Sequence, residues 1–128
     1  MKEYKEIQVA LLGLGTVGLG VYKVLQMQKE EMQHKIGTEI KIKKILVRNL
    51  EKAAGKIEDA SVLTDSWQEI VNDDEIQIVI EVMGGMEPAR TYIMEAMQAG
   101  KQVVTANKDL IAADGKELMD LSLIHISE

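Results

Sequence analysis

A glycine-rich stretch, Gly13-Leu14-Gly15-Thr16-Val17-Gly18, follows the apolar run 7–12 and opens a segment with helical periodicity. The order strand, glycine turn, helix is the order that a dinucleotide-binding turn requires. In such a turn Gly13 permits the sharp change of direction, Gly15 lets the backbone approach a pyrophosphate, and Gly18 lets the helix pack close to the strand. Because the helix N-terminus faces the phosphate charge, the stretch predicts a dinucleotide site at the first strand–helix junction.

The composition fits one globular domain and narrows the range of ligands. The 128 residues, 46% of them apolar and 28% charged, are enough to bury a core. The net charge of −6 argues against nucleic acid as a partner, because no basic face is available to replace phosphate counterions. A bound dinucleotide does not need a basic protein, since backbone N–H groups carry most of its phosphate contacts.

Other features of the sequence argue against several kinds of chemistry and location. The chain has no cysteine, which excludes disulfides and thiolate chemistry, and His34 and His125 lie far apart without ligand spacing, so no zinc site is predicted. The first six residues are too charged for a signal peptide, and no apolar run approaches the length of a membrane span. We therefore expect a cytoplasmic protein without a membrane or metal partner.

Apolar runs alternate with helical patterns along the chain, which predicts the α/β class: a Rossmann-like, doubly wound parallel sheet of about five strands with helices on both faces. The predicted strands are 7–12, 40–47, 61–64, 76–82 and 102–105. The predicted helices are 16–33, a short one within 48–61, one opened by a Ser66–Glu69 capping box, one that begins at Glu87-Pro88 and ends at Gly100, and one from Asp114. The apolar face predicted for the first helix carries Val17, Val21, Val24, Leu25 and Gln28.

Three segments fall at predicted strand C-termini, where a doubly wound sheet binds its ligands. They are residues 13–18, the segment Met83-Gly84-Gly85, and the segment Ala106-Asn107-Lys108. The glycine pair is able to let a nicotinamide ribose or ring approach the backbone; a plain tight turn explains it equally well, and its position favours the functional interpretation. Glu81 lies inside the fourth strand, where a charge is costly unless paired, and its role stays open.

Three cations near these strand ends are candidates for binding. The second strand ends in Arg48 where an NAD-binding fold normally places an acid, and an arginine there can meet the 2′-phosphate of NADP, so we expect NADP, or use of both NADP and NAD. A solvated loop arginine is the alternative, and for Lys56 we prefer the solvated interpretation over a second phosphate contact. Lys108 stands at the start of a helical segment, where a positive charge is unfavourable. That position suggests an acidic substrate or a cofactor oxygen nearby; a surface lysine is the simpler interpretation.

Four motifs, taken in order and with their spacing, resemble homoserine dehydrogenase, and the resemblance extends over roughly residues 7–122. They are residues 7–18, Leu46-Val47-Arg48, Glu81-Val82-Met83-Gly84-Gly85, and Val103-Val104-Thr105-Ala106-Asn107-Lys108. The last motif is the most specific, because it is not a general feature of dinucleotide-binding folds. The resemblance implies an oxidoreductase that interconverts L-aspartate 4-semialdehyde and L-homoserine with NAD(P)H, on the route to threonine, methionine and isoleucine.

The same resemblance implies roles for individual residues. Leu14, Gly15, Thr16 and Val17 would lie on the cofactor pyrophosphate, within the turn that Gly13 and Gly18 bound. Arg48 matches the position tied to the NADP 2′-phosphate, and Gly84 and Gly85 would flank the nicotinamide. Thr105 joins this cofactor-binding set. Lys108 matches a lysine beside nicotinamide and substrate that is implicated in binding and proton movement, which makes it the catalytic candidate.

We therefore expect residues 1–122 to form an NAD(P)-binding domain, with the substrate and dimerisation domain of the family absent and no aspartate kinase module upstream. Residues 123–128 depart from the family pattern and resemble a fusion scar, so His125 is not a catalytic candidate. On this expectation the chain alone binds the cofactor weakly and catalyses no reaction. Binding of the small-molecule substrate and assembly into a homo-oligomer are expected of the full-length enzyme. The alternatives are a stand-alone dinucleotide-sensing regulatory domain and a Rossmann oxidoreductase acting on another small substrate.

Overall fold

The structure, a computed structural model, describes residues 5–27 and 38–105 of the chain. The strands are β1 (Lys5–Leu12), β2 (Thr38–Leu46), β3 (Leu63–Thr64), β4 (Ile76–Glu81) and β5 (Gln102–Thr105). The helices are α1 (Thr16–Met27), α2 (Leu50–Ala54), α3 (Gln68–Val71) and α4 (Ala89–Gln98), with a 3-10 turn at Ala60–Val62. Predicted features at 28–33, from Asp114 onward and at 123–128 lie outside the described residues. None of the helices in 5–27 and 38–105 combines the length and apolarity that a membrane crossing needs.

The described strands form one sheet in which every pairing is parallel. Their order across the sheet is β3-β2-β1-β4-β5. The first three strands therefore lie in the order β1, β2, β3 towards one side of the sheet, and β4 and β5 lie on the other side of β1. The crevice between the carboxyl ends of β1 and β4 is the switch point where open parallel sheets bind their ligands. This arrangement confirms the predicted Rossmann-like class.

Two apolar cores lie on opposite faces of the sheet, because alternate residues of a strand point to opposite sides. Leu11 of β1 is buried in a core that includes Ala53 of α2 and partly buried side chains of α1. Its neighbours Ala10 and Leu12 are buried in a second core with Ile70 of α3 and side chains of α4. The prediction of helices on both faces is confirmed.

Two register shifts let apolar residues three apart share a face. Between β1 and β2 the pairing moves from Val9↔Ile42 to Ala10↔Lys44, which places Ile42 and Ile45 in the same core. Between β1 and β4 a second shift follows the Gln8↔Ile76 pair and places Ile76 and Val79 together in the other core. An extra residue in one strand moves all later side chains to the opposite face, so these bulges make the apolar pattern compatible with a continuous sheet.

The apolar face predicted for α1 packs against the sheet only in part. Val21 and Leu25 are partly buried as expected, but Val17 and Val24 are 57% and 51% exposed. The buried residue of the helix is Gly18. Its close approach to the preceding turn directs the Gly18 side of α1 towards the sheet and rotates Val17 and Val24 outward.

Two predicted helix starts differ from the structure. The Ser66 capping box does not form, because α3 begins at Gln68 without a side-chain cap and the Ser66 N–H instead donates to Thr64 Oγ1 at 3.0 Å. Local turns of this kind compete with helix caps for the same backbone groups. Pro88 immediately precedes α4 rather than forming its first residue. Gly100 follows α4 with φ of +85°, which confirms it as the glycine that terminates the helix.

A buried lysine that sequence reasoning did not single out holds the amino edge of the sheet. Lys101 is 4% exposed, and its Nζ donates to the carbonyl oxygens of Asp73 at 2.6 Å and Ile76 at 2.8 Å. Burial lowers the pKa of Lys101, because it penalises the charged form. Nearby, Lys43 Nζ lies 2.7 Å from Asp73 Oδ2 and 2.6 Å from Glu75 Oε1. Two lysines therefore anchor the loop that precedes β4.

We expect Asp73→Asn to lower Tm at pH 7 by on the order of 2 °C, since a partly exposed ion pair contributes little. The hydrogen bond from Lys43 lowers the pKa of Asp73 below its ordinary value of 3.8. A carboxyl of this kind stabilises the fold above its unfolded pKa and loses that contribution as the pH falls through the folded pKa. The Tm difference between variant and wild type should therefore shrink below pH 3.8. Thermal unfolding of both proteins at several pH values measures this Tm difference. Glu58→Gln, which changes an exposed carboxylate, is the control. A Tm difference between Asp73→Asn and wild type that does not change with pH would contradict the contribution of the Lys43–Asp73 ion pair.

Candidate functional site

The glycine turn lies at the carboxyl end of β1 and is bonded to both neighbouring strands. The Gly13 N–H donates to Leu46 O of β2 at 2.9 Å, and the Val82 N–H, just after β4, donates to Leu12 O at 3.1 Å. Gly13 has φ of +106°, and a Cβ on it would lie 3.3 Å from Met83 Cα. A side chain at position 13 is therefore disfavoured both by the backbone conformation and by the space available.

Gly15 and Gly18 have opposite surroundings. Gly18 is buried, and a Cβ on it would lie only 2.4 Å from Gly13 O, so this glycine serves the packing of α1 against the turn. Gly15 is exposed, and a Cβ on it would meet no atom within 4 Å. No packing contact in the described part of the chain requires a glycine at position 15. The space beside its backbone, at the N-terminus of α1, is open to a ligand.

A cleft of about 690 Å³ opens beside the turn at the carboxyl edge of the sheet. Gly13, Leu14 and Gly15 form one side of it. The remaining sides come from the segments that follow β2, β3 and β4: they include Arg48, Asn49, Lys52, Lys56, Asp65, Met83, Pro88 and Tyr92. The volume falls in the range of small-molecule and cofactor sites. Four separate parts of the chain thus converge at the switch point.

Three cations, Arg48, Lys52 and Lys56, line the side of this cleft that follows β2. Asn49 Oδ1 accepts the Lys52 N–H at 3.0 Å, which caps α2 and fixes the loop that carries Arg48. Lys56 is exposed, and its Nζ donates to Leu14 O at 3.0 Å, so this lysine bonds to the glycine turn. That it is solvated rather than a phosphate contact stays a prediction. Sequence reasoning missed Lys52, although a cation at every fourth position from 48 to 56 was a signal available in the sequence.

An aromatic side chain lines the cleft on the other side of the turn. Tyr92 of α4 stacks on Trp67, with ring centroids 4.5 Å apart and planes at 22°. The Trp67 Nε1–H donates to Glu95 Oε1 at 2.7 Å, which fixes the indole against which Tyr92 rests. The sequence did not indicate Tyr92 as a cleft residue, because the stack joins α4 to Trp67, the residue before α3, and the two are distant in the chain.

The ends of β4 and β5 meet at a buried carboxylate. Glu81 is fully buried, its Oε2 accepts the Met83 N–H at 2.8 Å, and its Oε1 accepts the Thr105 hydroxyl. Gly84 and Gly85 follow with φ of +79° and +73°, so the backbone itself requires glycine there, as a tight turn does. Among the described residues a Cβ on either glycine would meet nothing within 4 Å, which is compatible with a ligand beside the turn. Both interpretations of the glycine pair are therefore compatible with the structure.

The chain leaves β5 at Thr105, on the same edge of the sheet as the glycine pair. Lys108, with Ala106 and Asn107, lies outside the described residues, and its place beside the nicotinamide stays a prediction. In the part of the chain that the structure describes, no group of three or more histidine, aspartate or glutamate side chains is arranged to hold a metal ion.

A parallel sheet with this strand order, a glycine turn at its switch point and a cleft beside that turn define the chain as a dinucleotide-binding domain. Residues 13–123 match the family model for the NAD-binding domain of homoserine dehydrogenase. The chain belongs to that family.

Relatives of this chain are consistent in name and in fold. Homoserine dehydrogenase from Bacillus subtilis is 44% identical over 115 residues, 90% of this chain and 27% of that protein. The enzyme from Lactococcus lactis is 44% identical over 122 residues, 93% of this chain and 28% of that protein. The crystal structure of a homoserine dehydrogenase from Thiobacillus denitrificans superposes with a TM-score of 0.87 at 43% identity, over 98% of this chain and 29% of that chain. The chain thus spans somewhat more than a quarter of the length of these relatives.

Proposed function

We propose that this chain is the part of a homoserine dehydrogenase that binds NAD(P)H, in an enzyme that interconverts L-aspartate 4-semialdehyde and L-homoserine. The observation that carries the proposal is the family match over residues 13–123 together with the cleft at the switch point. Relatives that are 44% identical bear the name of that enzyme. The activity, the substrates and the assembly of the whole enzyme belong to the proposal.

The cofactor pyrophosphate is proposed to lie on the backbone of Leu14, Gly15, Thr16 and Val17. Two features support this assignment: the open space beside Gly15, and the first N–H groups of α1, which have no partner within the helix. The Leu14 side chain is buried in the core, so only its backbone is available to a ligand. Gly13 and Gly18 contribute by shaping the turn rather than by contact.

The adenosine half is proposed to lie over the end of β2, with Arg48 on the 2′-phosphate of NADP. Arg48 is exposed and lines the cleft, and Lys52 and Lys56 add positive charge on the same side. An arginine fork suits a phosphate, whereas the ribose hydroxyls of NAD call for an acceptor. NADP is therefore proposed as the preferred cofactor, with NAD as the weaker one.

The nicotinamide half then extends past β1 towards Gly84, Gly85 and Thr105. When bound, the cofactor supplies or accepts the hydride at the carbon that is aldehyde in one substrate and alcohol in the other. The part of this chain is to hold the ring in place, since reacting atoms must be kept near contact distance. Lys108 is the proposed catalytic residue, binding substrate and moving a proton at the substrate oxygen. The intact enzyme is proposed to be a cytoplasmic homo-oligomer, as the family resemblance implies.

Two measurements test the proposed function. Titration of the chain with NADPH and with NADH, followed by nicotinamide fluorescence, should show saturable binding of both and tighter binding of NADPH. For the reaction, residues 1–122, which include the central strand β1, should replace the matching domain of the Bacillus subtilis relative, and the chimera should reduce NADP⁺ when L-homoserine is added. A chain that binds neither nucleotide would overturn the proposal, and a chimera that binds NADPH but ignores homoserine would overturn the substrate assignment.

A further inference from the structure

We propose that Glu81 is a positioning residue, which holds the nicotinamide end of the cofactor site in shape through Met83 and Thr105. This inference rests on the proposed function, because it takes the dinucleotide to run from Arg48 across the glycine turn to the ends of β4 and β5. It concerns a residue that touches the backbone of the site rather than the cofactor itself.

The position of Glu81 links the ends of three strands. In the sheet it pairs with Leu12, the last residue of β1, on one side and with Thr105, the last residue of β5, on the other. Its side chain is fully buried, and a buried carboxylate is tolerated only when its oxygens are hydrogen-bonded. The two oxygens divide between two partners, since Oε2 accepts the Met83 N–H and Oε1 accepts the Thr105 hydroxyl.

The Met83 bond transmits the position of Glu81 to both glycine segments. Met83 Cα and Cγ are the atoms that a Cβ on Gly13 would meet at 3.3 Å, so Met83 forms the back of the glycine turn. Directly after Met83 the chain enters Gly84 and Gly85 with positive φ. Fixing the Met83 amide therefore fixes the direction in which the glycine pair leaves the sheet.

The Thr105 bond ties the end of β5 to the same carboxylate. It joins residues 24 positions apart in sequence and adds a side-chain bond to the backbone pairing of β4 with β5. An apolar side chain at position 81 would leave the Met83 N–H without its acceptor. A glutamine would keep both bonds, because its Oε1 can accept the Met83 N–H while its amide donates to the Thr105 hydroxyl, so an apolar residue is the change that removes them.

The experiment compares two ligands by calorimetric titration of the 128-residue chain. NADPH carries the nicotinamide, and 2′-phospho-ADP-ribose has the same phosphates without it. We expect Glu81→Leu and Thr105→Val each to weaken NADPH about fivefold, the scale of one ordinary hydrogen bond, while 2′-phospho-ADP-ribose stays within about twofold. Thr105→Ser keeps the hydroxyl and should restore the wild-type affinity for NADPH.

A matched control removes a buried polar contact at the opposite edge of the sheet. Lys101→Met should lower Tm and leave both affinities unchanged, because the Lys101 side chain bonds to Asp73 O and Ile76 O, at the amino end of β4, and does not line the cleft. Equal weakening of both ligands by the Glu81 and Thr105 variants, or weakening of neither, would overturn the positioning role. If Glu81→Leu does not fold, Glu81→Asp decides, because its carboxylate stands one methylene shorter than that of Glu81 and withdraws from both partners without altering Thr105. A wild-type chain that binds neither ligand would instead refute the proposed function.

Discussion

Gly18→Ala should destabilise the fold by about 3 kcal/mol, because overpacking against rigid backbone costs that order of free energy. The added Cβ would lie 2.4 Å from Gly13 O, 3.0 Å from Gly13 C and 3.1 Å from Val82 Cγ2. Two of these atoms belong to the backbone of the turn, so α1 must move away from β1 to accept the methyl group. Tm should fall by on the order of 10 °C, and affinity for NADPH should fall with it, because the turn that carries the pyrophosphate is displaced.

The control for this substitution lies in the same helix. Gly20 is exposed, and a Cβ on it would meet no atom within 4 Å. Gly20→Ala should therefore stabilise the fold by about 0.5–1 kcal/mol, the usual gain when alanine replaces glycine inside a helix. Both changes raise helix propensity equally, so their difference in urea or thermal unfolding isolates the close approach of Gly18. Equal stability of the two variants would show that α1 does not pack on the turn.

Arg48→Ala should weaken NADPH by about tenfold to a hundredfold, as expected for the loss of a charge-assisted contact to phosphate. Affinity for NADH should stay within about twofold, because NADH has no 2′-phosphate for the guanidinium to meet. Fluorescence titration with each nucleotide measures both effects. Arg48 is exposed at the rim of the cleft, so the difference between the nucleotides should also diminish as salt is added.

Lys41→Ala is the matched control for the loss of one exposed cation. Lys41 lies on β2, the strand that precedes Arg48, and it is exposed but does not line the cleft. Lys41→Ala should leave the affinities for NADPH and for NADH unchanged. Tighter binding of NADH than of NADPH by the wild-type chain, with no change in Arg48→Ala, would be incompatible with the assignment of Arg48 to the 2′-phosphate.

The fold was predictable where the signal is local. Alternating apolar runs and helical patterns indicated the parallel sheet with helices on both faces, and β5 begins and ends where the pattern predicts. The register shifts were not predictable in the same way. Whether Ile42 and Ile45 share a face depends on how β2 pairs with β1, and that pairing is a property of two strands. The burial of Gly18 rather than Val17 depends likewise on how α1 sits on the turn.

Parts of the candidate site could also be predicted from local sequence. The glycine spacing indicated the turn, and the residue after the second strand indicated Arg48. The bond of Lys56 to Leu14 O was not predictable from local sequence, because it joins residues 42 positions apart. The sequence around Tyr92 did not indicate a cleft residue, because the position of Tyr92 in the cleft depends on its stacking against Trp67.

The class of fold and the location of the dinucleotide turn follow from the order of residues, because strand periodicity, helix periodicity and glycine spacing act over a few neighbouring positions. The role of Glu81 does not follow from that order. A charge inside an apolar strand indicates only that some partner must exist. The Met83 amide, two residues further on, is a local partner, whereas the Thr105 hydroxyl becomes a partner only when β4 and β5 align. Hydrogen bonds between distant segments depend on distances that arise when the sheet assembles, and for that reason the chemistry of this edge is a tertiary property.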